Sequence, residues 1–367
     1  METNNIRDIR PIADLAEAVR TGGGYVRHAP PELPDHAHPL IRYEGMVNGD
    51  WFEYVNRRRH EIPSVGCQLV SGGMVFGAGH ALAEDKLVVE GSNLDTVEKE
   101  WAGREIALIP DRAKKSVLGH GIVATGPGHL IYGHWIVDFL PRLYVAKLTL
   151  GQIFSECSLI LPNNTPEWAL NLCRQLISSD LPFEFYDPGR EVVVCEKLWL
   201  PTYPLSSDHH FHSSVRQLYQ PLRSNARGDR KILISRAKIE GRTAGATKCF
   251  LQRKEFEEQA VRLGYDVIYP EELSFEEQVR VVNSASVLAG EFGSGLHSSV
   301  FGSDDLIVAA AGCFNAIQSR LCTLYRQRNA YLIPDHEKQE GGPIVFGSNP
   351  TAIARFFDAV ESALHGL

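Results

Sequence analysis

The chain lacks most of the features that mark membrane, secreted or nucleic-acid-coating proteins. No apolar run approaches the roughly 20 residues of a membrane span; Leu306-Ile307-Val308-Ala309-Ala310-Ala311 is among the longest. The opening Met1-Glu2-Thr3-Asn4-Asn5 is polar and leads into no apolar core, so no secretory signal is expected. Seven cysteines, at 67, 157, 173, 195, 249, 313 and 322, are odd in number and include no C-x-x-C pair. That argues against a disulfide framework and for reduced thiols buried as small hydrophobes, as in the cytoplasm. Basic residues are not in excess. The 37 Lys and Arg against 45 Asp and Glu leave a net charge of −8. A broad basic face for nucleic acid is thereby excluded, but a local cationic pocket is not.

Several catalytic signatures are also missing. There is no H-E-x-x-H and no D-x-D, so metal-dependent chemistry has no motif and no metal is expected. No Gly-Lys-Ser/Thr closes a phosphate loop. The G-x-G-x-x-G turn with an acidic residue about 20 positions on is absent too, which disfavours a nicotinamide-dependent oxidoreductase. His209-His210-Phe211-His212 invites a metal reading, but it lies at the end of a proline-containing stretch, 201–212, that reads as a linker.

What is present describes a globular α/β protein. With 367 residues, 44% of them hydrophobic and 22% charged, the chain is long enough for two or three domains. Residues 1–110 are irregular and β-rich, with breaks at Gly72-Gly73 and Gly77-Ala78-Gly79 that resemble hairpin turns. Strands are expected at 105–109, 117–124, 158–161, 183–186 and 192–200. Helices are expected at 132–150, interrupted by Pro141, and at 166–178. The alternation is clearest from 231 to 333. There a strand, a helix closed by Gly264, a second strand and a helix opened by the capping box Ser274…Glu277 follow in order. Further strands at 286–289, 306–311 and 331–333 complete the pattern of a parallel sheet with helices on both faces. Ligands on such sheets bind beyond the carboxyl ends of the strands.

Three segments at such positions carry candidate chemistry. Glu291-Phe292-Gly293-Ser294-Gly295-Leu296-His297-Ser298 follows a strand and opens a helix. Its glycines allow close backbone approach, and a helix start offers N–H groups to a phosphate; a ligand-free tight turn fits the same residues. Ser235-Arg236 ends another strand, with Arg242 and Lys248 following. A guanidinium there suits a diphosphate, because its fork can hold two oxygens. His134 and Asp138, four apart, share one helix face in Gly133-His134-Trp135-Ile136-Val137-Asp138-Phe139-Leu140-Pro141-Arg142-Leu143. A carboxylate beside an imidazole can act as a general base, or can be a structural pair.

In order, these segments resemble glycosyltransferase family 61. The resemblance is carried by Gly133-His134-Trp135…Asp138-Phe139-Leu140-Pro141-Arg142-Leu143, Ile234-Ser235-Arg236, Pro270-Glu271-Glu272-Leu273-Ser274-Phe275-Glu276-Glu277-Gln278 and Gly293-Ser294-Gly295-Leu296, within about 120–310. The chain departs from the family in having Phe292 where His is usual and Ser298 where Asn is usual. The family's Arg-x-x-x-Asn-Glu stretch is matched at best by Lys248 and Gln252-Arg253. These departures suggest a divergent bacterial branch in which Glu291 and His297 take over ligand contacts.

The resemblance implies a GT-B fold, with two Rossmann-like domains facing across a cleft. Residues 1–212 would form the acceptor-side domain and 213–345 the nucleotide-sugar domain, and 346–367 a helix that crosses back. It further implies a metal-independent, inverting glycosyltransferase of surface (capsular-type) polysaccharide biosynthesis, with a nucleotide-diphosphate sugar as donor substrate and no cofactor. Asp138 would be the base, with His134 orienting it or acting in its place. Ser235, Arg236, Arg242, Lys248, Glu291, Gly293, Ser294, Gly295, Leu296 and His297 would hold the donor. The acceptor would be a glycan, free or lipid-linked. With no membrane span, the work is expected in the cytoplasm or at the inner membrane face through peripheral contact. The alternative is a nucleotide- or glycan-binding module of the same fold that has lost its chemistry.

Overall fold

The computed structural model describes residues 3–5, 11–12, 15–34, 40–44, 61–83, 86–89, 102–103, 105–106, 108–206, 208–239, 248–312, 316–338 and 344–366. The chain divides into two compact units. The first comprises Met1–Leu33, His60–Ser207 and Phe211–Leu218; the second comprises Pro34–Arg59, Asp208–His210 and Tyr219–Leu367.

The spine of the first unit is the strand Glu191–Pro201. On one edge it pairs in parallel with Ala113–Ile122, which pairs with Cys157–Pro162, which pairs with Phe183–Tyr186. On the other edge it pairs antiparallel with Val65–Ser71 and with Met74–Phe76. Gly72-Gly73 is therefore a break between two segments on the same neighbour, not a hairpin: the Gly72 N–H donates to the Glu196 carbonyl and the Cys195 N–H to the Gly73 carbonyl. Gly77-Ala78-Gly79 is a true hairpin turn, joining Met74–Phe76 to His80–Ala83; two residues at positive φ, Gly77 and Gly79, make it possible. The strand expected at 105–109 is not formed. Residues 105–106 are helical and Ile109–Asp111 is a 3₁₀ turn, so the strand begins later, at Ala113.

The long helix of this unit is not uniform. Tyr132–His134 is α-helical, Trp135–Phe139 is a π turn, and Leu140–Leu150 is α-helical again. Pro141 explains the wide turn. It has no N–H to donate, and its ring would collide with the Val137 carbonyl in a regular α-helix. Widening the preceding turn, with the Leu140 N–H reaching the Trp135 carbonyl, removes that conflict.

The second unit holds a six-stranded parallel sheet in the order Asp266–Ile268, Arg230–Ile234, Ala285–Glu291, Ile307–Ala311, Arg328–Leu332, Leu40–Glu44. Counted along the chain from Arg230, the first five strands lie in the order 2-1-3-4-5. The chain thus reverses direction across the sheet between Arg230–Ile234 and Ala285–Glu291. Open α/β sheets bind ligands at this switch point, outside the carboxyl ends of its two strands. On one face Leu233, Val287, Ala289, Ala309, Ala311 and Ala330 meet Phe256, Phe356 and Phe357. The alanines leave room for the rings, each of whose burial contributes about 1.5–3 kcal/mol. On the other face Ile232, Ile234 and Leu288 meet Val281 and Val282.

The structure redistributes the expected domain limits. The chain does not change units at one point near 212, because Asp208–His210 belongs to the second unit and Phe211–Leu218 to the first. Arg320 explains the first assignment: it lies against Asp208, which lies against His210, and all three are buried. The C-terminal helix Pro350–His365 packs within the second unit. Ile353, Phe356, Phe357 and Val360 bury it on the sheet of its own unit. The early segment that joins a later sheet is Leu40–Glu44, paired with Arg328–Leu332.

Candidate active site

In the first unit, His134 and Asp138 meet. Nδ1–H of His134 donates to Oδ2 of Asp138 at 2.7 Å. The Asp138 side chain is 14% exposed and that of His134 42%, so the carboxylate is shielded and the imidazole is open to a ligand. Burial opposes the imidazolium, but the hydrogen bond to Asp138 and that residue's charge outweigh it and hold His134 above its ordinary range. The pair sits just beyond the carboxyl end of Ala113–Ile122.

Its surroundings fix it. Gly128 has φ +92°, and a β-carbon there would stand 2.4 Å from Cδ2 of His134, so the imidazole rests on a bare glycine. Phe139 stacks on the His134 ring at 6.0 Å. Trp135 Nε1–H donates to the His129 carbonyl at 2.7 Å, and His129 Nε2 pairs with Oδ1 of Asn164 at 2.9 Å. Burial keeps His129 below its ordinary pKa, against the effect of the Asn164 bond. Arg142 is buried and donates to the carbonyls of Ala124, Thr125 and Pro201, with its guanidinium 4.2 Å from the Tyr203 ring centroid. It fastens the helix to the loop beneath the pair. The sequence singled out His134 and Asp138 but not Gly128, whose signal was only a glycine in Gly126-Pro127-Gly128.

In the second unit, Ser235-Arg236 and Glu291–Gly295 meet at the switch point. Arg236 donates to the Phe292 carbonyl at 3.3 Å. Its guanidinium lies over Gly293, where a β-carbon would stand 2.1 Å from it. Gly295 meets Ile234, 3.1 Å from its would-be β-carbon, and Leu296 is buried in the core. Ser294 begins a 3₁₀ helix, Ser294–Phe301, whose first turn is closed by the Leu296 N–H on the Gly293 carbonyl.

Three candidates are engaged within the protein. Glu291 is buried and gripped by two nitrogens of Arg253, Nε and, at 3.1 Å, Nη2. It anchors the loop on the helix Arg253–Arg262 rather than facing a ligand as a bare carboxylate. Arg253, named only as a weak match to a family stretch, is the residue that the sequence undervalued. His297 is buried, with Nδ1 on Oε1 of Gln318 at 3.0 Å. Ser235 Oγ donates to Glu257 Oε1 at 2.5 Å and accepts from the Ala237 N–H, which shapes the turn that presents Arg236.

One candidate belongs to a different sheet. Lys248 begins Lys248–Phe250, which pairs with Ile344–Gly347 in a separate three-stranded sheet. Arg242 lies outside the described residues. The histidines of 209–212 do not gather: His210 lies against Asp208, and His212 against Glu32, each at 3.6 Å. Among the described residues no three His, Cys, Asp or Glu side chains form a cluster suited to a metal.

Residues 132–309 match the sequence model of the family described as Glycosyltransferase 61, a stretch that takes in the His134–Asp138 pair, Arg236 and the Gly293–Gly295 turn. No curated protein matches the chain. Over that stretch, just under half of the chain, the sequence is similar to glycosyltransferase family 61.

Proposed function

We propose that the protein is a metal-independent, inverting glycosyltransferase that moves a sugar from a nucleotide-diphosphate donor to a hydroxyl of a surface-polysaccharide acceptor. The observation that carries this reading is Arg236, set over Gly293 at the switch point of the parallel sheet. A diphosphate leaving group needs its developing charge met. Arg236, together with the N–H groups opening Ser294–Phe301, can meet it without a metal ion.

In this reading the fold is of the GT-B kind, with base and acceptor on the first unit and donor on the second. Asp138 takes the proton of the acceptor hydroxyl, and His134 orients it and stabilises its charge. The acceptor oxygen bonds to the anomeric carbon as the bond to the diphosphate oxygen breaks. The nucleoside diphosphate departs, and the configuration at the anomeric carbon inverts. Among the described residues no helix is long and apolar enough to cross a membrane; a lipid-linked acceptor would be met by peripheral contact from the cytoplasmic side.

A thermal-shift screen across UDP-, GDP-, CMP- and dTDP-sugars tests the reading, since a ligand that binds only the native state raises its midpoint. The expected result is stabilisation by one of the three diphosphate donors and not by the CMP-sugar, which has a single phosphate; that stabilisation is lost in Arg236→Ala, and transfer is unaffected by EDTA. Failure of all three diphosphate donors to bind, or stabilisation by the CMP-sugar alone, overturns the reading. Loss of transfer in EDTA overturns its metal-free part.

A further inference from the structure

We infer that Trp168 and Tyr132 form a stacking platform for a saccharide ring of the acceptor, beside the His134–Asp138 pair. The inference rests on the proposed glycosyl transfer only for the identity of the acceptor; the platform itself is read from the surface.

Trp168 lies in the first turn of Glu167–Leu176 and is 38% exposed. A large apolar ring left open at the carboxyl end of parallel strands needs an explanation. Its ring packs 5.8 Å from Tyr132, and edge-on to Trp135 at 6.4 Å and 84°. Leu130 and Ile131, 52% and 46% exposed, extend the apolar surface. The platform thus spans the loops after two neighbouring strands, Ala113–Ile122 and Cys157–Pro162, where ligands of such sheets bind.

The surface is also built rather than incidental. The His129–Asn164 bond ties one loop to the other, and the Trp135 indole ties the helix to the first loop. Binding there would order little, which favours affinity. The platform adjoins the catalytic pair directly: Tyr132 stands two residues before His134, and Trp135 follows it.

The chemistry favours a sugar over a lipid surface. A pyranose offers a C–H face that packs on an aromatic ring, and hydroxyls that need polar partners at the rim. The exposed amide of Asn163 lies in the second of the two loops. Residues 124–132 and 163–168 contain no Lys or Arg, the groups that would hold an anionic bilayer.

The test is calorimetric titration of the full chain with cellohexaose, xylohexaose and chitohexaose, in the wild type and in Trp168→Ala and Trp168→Phe. One oligosaccharide is expected to bind the wild type, at least ten-fold more weakly Trp168→Ala, and nearly normally Trp168→Phe. Both variants should keep the circular dichroism spectrum and cooperative thermal unfolding of the wild type, which shows that they are folded. No binding by the wild type, or equal binding by Trp168→Ala, overturns the inference. So does Trp168-dependent cosedimentation with phosphatidylglycerol vesicles in place of saccharide binding. If saccharide binds through Trp168 while no nucleotide-sugar binds at all, the platform stands and the glycosyl-transfer reading fails.

Discussion

The guanidinium of Arg236 occupies the space that a side chain on Gly293 would fill, 2.1 Å from the position of its β-carbon. Gly293 is not held there by its backbone conformation. Its φ of 162° is extended and open to any residue. What requires glycine is the close approach of a cation that also bonds the preceding carbonyl of the loop, that of Phe292.

Gly293→Ala should therefore act on Arg236 rather than on folding. The displaced atom is the end of a flexible side chain, so the thermal midpoint should move by no more than a few degrees. Nucleoside-diphosphate affinity, measured by calorimetry, should fall about ten-fold, the worth of one charge-assisted hydrogen bond. Arg236→Ala should lose at least as much, and combining the two should add little, because both remove the same contact. Full additivity would show that Gly293 and Arg236 act separately.

Asp138→Asn should abolish transfer while sparing the donor. A positioned base typically contributes about 10²–10⁴-fold. The isosteric amide keeps the shape of the site, so donor affinity should stay within a factor of two or so. The same substitution has a signature in stability. His134 is raised in the folded state above its unfolded value of 6.5, so its contribution is fully present below pH 6.5 and is lost as pH rises through the raised value. The wild type should exceed Asp138→Asn in thermal midpoint at pH 5.5 by more than at pH 8.5. An equal difference at both values would mean that the pair does not carry the charge assigned to it.

Gly128→Ala tests whether the seat of the imidazole matters. Alanine would be strained at φ +92° and would press on the His134 ring from 2.4 Å. Stability should fall by about 1–2 kcal/mol. Transfer, followed as kcat at saturating donor, should fall ten-fold or more beyond what unfolding explains. Unchanged kcat in the folded fraction would show that the ring can shift without consequence.

These positions also show what could be read from the chain. Short-range signals were legible. The capping box forms as expected, with the Glu277 N–H on Ser274 Oγ at 3.2 Å and the Ser274 N–H on Glu277 Oε2 at 2.8 Å. Gly264 ends its helix at φ +82°. The His134–Asp138 contact followed from helical spacing alone. What escaped was pairing over distance. Nothing in the local pattern of Glu291 announces Arg253, 38 residues away, or binds His297 to Gln318 across 21. The strand Leu40–Glu44 joins a sheet whose other strands begin near residue 230, a choice made by the sheet edge and not by its own five residues. Glycines were equally opaque. Gly72-Gly73 and Gly77-Ala78-Gly79 look alike in sequence, yet one interrupts a strand and the other turns it.

The Arg253–Glu291 pair separates anchoring from ligand binding. Glu291 is nearly sealed, with a side chain 4% exposed, and Arg253 is 13% exposed. Removing the cation alone leaves a buried carboxylate, which costs about 3–5 kcal/mol. Arg253→Ala should therefore destabilise strongly, and Glu291→Gln should do so less, because the amide can still accept a hydrogen bond and no charge is stranded in the core. Combining the two should recover part of the loss from Arg253→Ala alone. That recovery, read from denaturant unfolding of the single and double variants, would identify the pair as the clamp that fixes the Gly293–Gly295 turn on its helix. If Glu291 instead held the donor directly, Glu291→Gln would lower nucleotide-sugar affinity in fully folded protein by as much as Arg236→Ala. The geometry leads to the opposite expectation, a change of less than about three-fold, because both oxygens of the carboxylate already face Arg253.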